Sequence, residues 1–132
     1  EAGFEVECYF MIGLPTETED DILKSIDFAK KLDPNYVKFS IAIPLPGTEM
    51  FDEMMKNNRI KSLRWSDYNF AITPSVLYEH DNLSWEQLEY YYAKCHRDFY
   101  LRPRYIAKSF YNSVKNGLLL ANINAFLKTK WF

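Results

Sequence analysis

An α/β fold, running strand, helix, strand, helix and then into a helical stretch, is predicted by three features of this sequence. Apolar runs at 6–12 and 36–43 alternate with period two, as half-covered strands do. Each run ends at a Gly/Pro corner followed by a threonine able to cap a helix. From Ser84 onward the apolar residues instead recur at three- and four-residue intervals.

The first strand, Val6 to Ile12, puts Val6, Cys8, Phe10 and Ile12 on an apolar face and Glu7, Tyr9 and Met11 on a mixed one. Gly13-Leu-Pro turns the chain, and Thr18 caps a helix. Asp20 and Asp21 in its first turn and Lys30 and Lys31 in its last complement the helix dipole. Ile22, Ile26, Ala29 and Leu32 form its buried stripe, and Asp33-Pro34 ends it. Tyr36 to Ile43 repeats the strand pattern, with Val37, Phe39, Ile41 and Ile43 opposite Lys38, Ser40 and Ala42. After Pro44-Leu-Pro-Gly-Thr48 a short helix carries Met50, Phe51, Met54 and Met55. Consecutive strands joined by a helix pair in parallel through a right-handed crossover.

A boundary is placed near residue 60, where an irregular aromatic connection, SLRWSDYNFAITPSV, begins. Ser84 and Gln87 make a capping box for a helix to about Tyr100, striped by Leu88, Tyr92, Cys95 and Phe99. Pro103 suits the first turn of the next helix and Gly117 its end. Leu118 to Lys130 reads as a further helix, apolar at Leu119, Ile123, Phe126 and Leu127.

The 132 residues have the length of one domain, and at 48% hydrophobic and 26% charged the composition is globular. No apolar run approaches the roughly 20 residues of a membrane span, and no repeat is evident. Cys8 and Cys95 lie far apart on apolar faces and read as two reduced, buried thiols of a cytoplasmic protein. Residues 1–60 hold twelve acids and six bases, whereas residues 61–132 hold six acids and ten bases, so the halves are oppositely charged. The chain begins at Glu1 and enters an apolar run almost at once, which reads as part of a longer protein.

The residues alone name no reaction. Gly13-Leu-Pro-Thr-Glu-Thr lacks the glycines and lysine of a phosphate loop, and Glu17, Glu19, Asp20 and Asp21 would repel an anion. No Ser sits in a nucleophile elbow, and His80 and His96 lack partners at metal-ligand spacing. Arg102 and Arg104, among Phe99, Tyr100 and Tyr105, suit either a clamp on an anionic substrate or a junction paired with acids of the first half.

The run Phe10-Met-Ile-Gly-Leu-Pro-Thr-Glu-Thr-Glu-Asp-Asp21, followed by Pro44-Leu-Pro-Gly-Thr48, resembles the last strands of the partial barrel of radical S-adenosylmethionine enzymes. It is most similar to the subgroup with an N-terminal cobalamin-binding domain, which includes Mg-protoporphyrin monomethyl ester oxidative cyclases and methyltransferases. Leu83-Ser84 and Phe99-Tyr-Leu-Arg-Pro-Arg-Tyr105 match it too. The resemblance implies that residues 1–60 are the last two strand–helix units of a partial (β/α)6 TIM-like barrel. Residues 61–132 would be an aromatic linker and C-terminal helical extension.

The chemistry it implies is cleavage of S-adenosylmethionine by an electron from a 4Fe-4S cluster, or methyl transfer through cobalamin. It implies cofactor contacts from Met11, Gly13 and Pro15 at the corner and from Ser40 and Ala42 on the neighbouring strand. Tyr9, Thr16 and Gln87 depart from the family pattern, and the three-cysteine cluster motif is absent. The resemblance therefore assigns the cluster, the rest of the barrel and the cobalamin-binding domain to a missing N-terminal part, and makes these residues alone inactive. The expected protein is the C-terminal portion of an iron–sulfur oxidoreductase, an oxidative cyclase acting on a small Mg-porphyrin-like substrate, with no nucleic-acid partner. The alternatives are a cobalamin-dependent radical methyltransferase and a non-catalytic α/β interaction module.

Overall fold

In the computed structural model, which describes residues 4–68 and 74–128, the order of elements is β1 (Glu7–Ile12), α1 (Glu19–Leu32), β2 (Tyr36–Ile41), α2 (Glu49–Lys56), α3 (Trp85–Tyr100), α4 (Pro103–Lys115) and α5 (Leu119–Lys128). Two short 3-10 turns, Trp65–Asp67 and Pro74–Val76, lie in the connection before α3. Residues 69–73 of that connection, and residues 129 and 130 of the expected last helix, lie outside the described residues, as does any account of the Phe126 side chain.

β1 and β2 pair in parallel, with Glu7 opposite Tyr36, Tyr9 opposite Lys38 and Met11 opposite Ser40. Alternation sorts their side chains. Cys8, Phe10, Ile12, Val37 and Phe39 face a core completed by Ile22, Ile26 and Ala29 of α1 and Leu88, Tyr91, Cys95 and Phe99 of α3. Tyr91 rather than Tyr92 fills the α3 stripe, because its hydroxyl donates to the Glu19 carboxylate at 2.8 Å and Gln87 Nε2 donates to the same group. One acid at the start of α1 thus fastens α3 beside α1 on the same face of the sheet. A second cluster packs Met54 of α2 against Leu77 and Tyr78.

The expectation of a TIM-like barrel is corrected. Among the described residues the sheet has two strands, and two strands cannot close into a barrel. Strand–helix–strand patterning is the signature of one βαβ unit whether or not further strands follow, which is why the periodicity admitted the larger reading. Nor is the helical part an extension from a barrel, since α3 shares the core of the sheet. The edge of β2 is capped locally: the Tyr100 hydroxyl accepts from Val37 N at 3.0 Å and donates to Val37 O at 2.6 Å. Among the described residues no helix is long and apolar enough to cross a membrane.

Candidate functional site

The two faces of the sheet are very different. Opposite the packed core, the register places Glu7, Tyr9 and Met11 beside Tyr36, Lys38 and Ser40. Tyr9 is 70% exposed and Met11 53%, values unusual for strand residues of this size. The Tyr9 hydroxyl donates to Glu7 Oε2 at 2.9 Å, which lays the phenol along the strand, and this interaction raises the Tyr9 pKa. This face offers a carboxylate, two phenol rings, a thioether, an ammonium group and a hydroxyl on one rigid surface.

The C-terminal ends of the strands, where open α/β sheets commonly bind ligands, are covered by residues 77–83. The Tyr78 hydroxyl donates to Ala42 O at 2.8 Å, and burial pushes its pKa far up. His80 Nδ1 accepts from the amides of Asn82 and Leu83, each at 3.1 Å. Its Nε2 must then carry the proton and donate to Leu14 O at 2.8 Å. Asn82 Nδ2 donates to Thr16 O at 2.8 Å, holding a threonine whose φ is 66°. Below this strap, the amides of Gly13 and Leu14 both donate to the Glu17 carboxylate.

These contacts separate the expected site residues. Met11 and Ser40 stand side by side on the open face. Gly13 and Ala42 are buried beneath the strap, and Pro15 is half-buried in the corner. Gly13 has φ of 75°, and a Cβ there would lie 3.2 Å from Ile41 Cγ2 and 3.3 Å from Leu88 Cδ2, so backbone and core packing alone require glycine. Arg102 stacks on the Phe99 ring at 4.3 Å. It donates to Phe99 O at 2.9 Å, Lys30 O at 3.1 Å and Asp33 Oδ1 at 3.1 Å. Arg104, 82% exposed along its side chain, reaches the same carboxylate at 3.4 Å. The Glu17, His80 and Asn82 contacts escaped the sequence reading. Their one signal was the acid four residues after a corner glycine, which reads equally as dipole complementation.

Two curated proteins are similar to this chain. One is the uncharacterized methyltransferase PH0819 of Pyrococcus horikoshii, 36% identical over 102 residues, covering 77% of this chain and 22% of that protein. The other is the bacteriochlorophyllide d C-12(1)-methyltransferase of Chlorobaculum tepidum, 27% identical over 95 residues, covering 72% of this chain and 20% of that protein. The chain thus spans about a fifth of the length of these relatives. No protein-family profile and no solved structure matches it.

These findings correct the assignment to radical S-adenosylmethionine iron–sulfur oxidoreductases and oxidative cyclases: both relatives are named methyltransferases, and neither name carries a cluster or cobalamin. The motifs behind that assignment have local explanations. Gly13 is demanded by its backbone and neighbours. In the Pro-Leu-Pro-Gly-Thr turn, Gly47 has φ of 87° and Thr48 Oγ1 caps α2 by accepting from Phe51 N at 3.3 Å.

Proposed function

We propose that this chain is part of an S-adenosylmethionine-dependent methyltransferase, and that the open face of the β1–β2 sheet is one wall of its ligand site. The observation that carries the reading is the open row Tyr9, Met11, Lys38 and half-buried Ser40 on a sheet whose other face packs against α1 and α3. An open sheet face that presents aromatic rings and a thioether among polar groups fits a ligand with a flat surface. Support comes from the methyltransferase names of both relatives, and the one whose name gives a substrate acts on bacteriochlorophyllide d.

The donor set suits S-adenosylmethionine, which when bound supplies an electrophilic methyl group on a sulfonium centre. Glu7 and the rings of Tyr9 and Tyr36 favour a positive centre, Met11 offers apolar contact, and Ser40 offers a hydrogen-bonding hydroxyl. The amides of Gly13 and Leu14 are engaged by Glu17, so their role is to hold the corner rigid behind this wall.

Titration of isotopically labelled chain with S-adenosylmethionine, followed by backbone amide shifts, tests the reading. Shifts centred on residues 9, 11, 38 and 40, weakened about tenfold or more in Met11→Trp with an unchanged melting temperature, are expected. Shifts confined to another surface, or a Met11→Trp variant that binds as well as the parent, would overturn it.

A further inference from the structure

After Asp98 the sequence carries six cations, Arg102, Arg104, Lys108, Lys115, Lys128 and Lys130, and no acid. In the fold this stretch becomes two helices with their apolar residues turned outward. Ile106, Phe110 and Val114 follow one another at four-residue spacing along α4, and Leu120, Ile123 and Leu127 run along α5. Ile106, Phe110, Leu119, Ile123 and Leu127 line an open, almost wholly apolar trough of about 260 Å³ between the two helices.

The cations are only partly neutralised. Asp33 is shared by Arg102, Arg104 and Lys108. Among the described residues, no acid lies within ion-pair distance of Lys115 or Lys128. Beside the trough lies a polar cavity of about 230 Å³ lined by Lys108, Ser109, Asn112, Asn116 and Asn122, with Glu5 as its one carboxylate among the described residues. Apolar side chains facing outward from a helix pair with a net positive charge match the lipid–water boundary. Nucleic acid would meet the charge but leave the leucines and isoleucines uncovered.

We propose that the α4–α5 face is a peripheral docking surface for an anionic lipid bilayer. The trough residues enter the acyl boundary, the lysines meet lipid phosphates, and the asparagine-lined cavity lies at headgroup level. This surface stands on its own charge and exposure, independently of the sheet-face site.

The test is co-sedimentation of the full chain with vesicles of phosphatidylcholine containing phosphatidylglycerol, and with pure phosphatidylcholine. Partition to the anionic vesicles alone, reversed by high salt, is expected. Each lysine near the surface contributes about fivefold, so Lys115→Glu with Lys128→Glu should lower partition on the order of tenfold or more. Leu120→Ser with Ile123→Ser should abolish it, and both pairs are exposed, so unchanged melting temperatures confirm the fold. Equal partition to both vesicles would overturn the proposal. So would a vesicle-indifferent dimer split by Leu120→Ser, which would assign the face to a second copy, or selective retention on duplex RNA.

Discussion

Glu17 does at the Gly13 corner what a bound anion does at other strand-to-helix turns: its carboxylate collects the two backbone amides that the turn leaves pointing at one spot. Burial raises its pKa, against the hydrogen bonds from the Gly13 and Leu14 amides, which lower it. A raised carboxyl contributes stability that is fully present below its ordinary 4.5 and lost as pH climbs through the folded value. Asp21 works in the opposite sense. Hydrogen bonds from the Thr18 hydroxyl, Lys24 and the Thr18 amide hold it at about 2, so its contribution is fully present above 3.8 and lost as pH falls from there through about 2. Glu17→Gln keeps an acceptor for the corner and removes the titration. As pH climbs through the folded value the parent's melting temperature should therefore decline relative to the variant's. Parallel profiles from thermal unfolding would place the titration elsewhere.

Helices and strands were read from periodicity and caps with small boundary differences, because those signals are local. Thr48 and Ser84 accept from Phe51 N and Gln87 N as helix caps do. How elements meet was less legible, since contacts such as Arg102 to Lys30 join residues far apart in sequence. Arg102, which precedes the first turn of α4, binds the last turn of α1, the Asp33 carboxylate and the end of α3 through one guanidinium. Its donors are charged and its side chain is 17% exposed, so Arg102→Ala should cost about 2 kcal/mol in urea unfolding. Arg102→Lys should recover little of it, because an ammonium group cannot span the three acceptors. Arg104→Ala, at an exposed position, should change stability by less than about 0.5 kcal/mol. A substrate clamp would reverse that pattern, leaving stability untouched in both variants.

At the level of the whole molecule, the sheet was readable and its closure was not. Val37 and Phe39 opposite Lys38 and Ser40 say that one face is packed and one is mixed, but a mixed face is common to a barrel interior and to an open two-stranded sheet. What decides is how α3 returns, and Cys95 of α3 marks the place, fully buried in the core that α3 shares with the sheet and α1. Its thiol is pushed up to about 12, chiefly by burial, so the reactive thiolate is scarce while the fold holds. Local opening of the Gly13 corner or of α5 leaves it covered; only separation of α3 from the sheet exposes it. Labelling with a disulfide reagent at mildly alkaline pH should therefore show two phases, with half-buried Cys8 reacting first and Cys95 following at the rate of global opening. Urea should accelerate the slow phase as it accelerates global unfolding, and Arg102→Ala should accelerate it in native buffer. Two fast thiols would mean that α3 is not part of the core, and the open sheet face would then lose the rigid backing on which its proposed role as a binding wall depends.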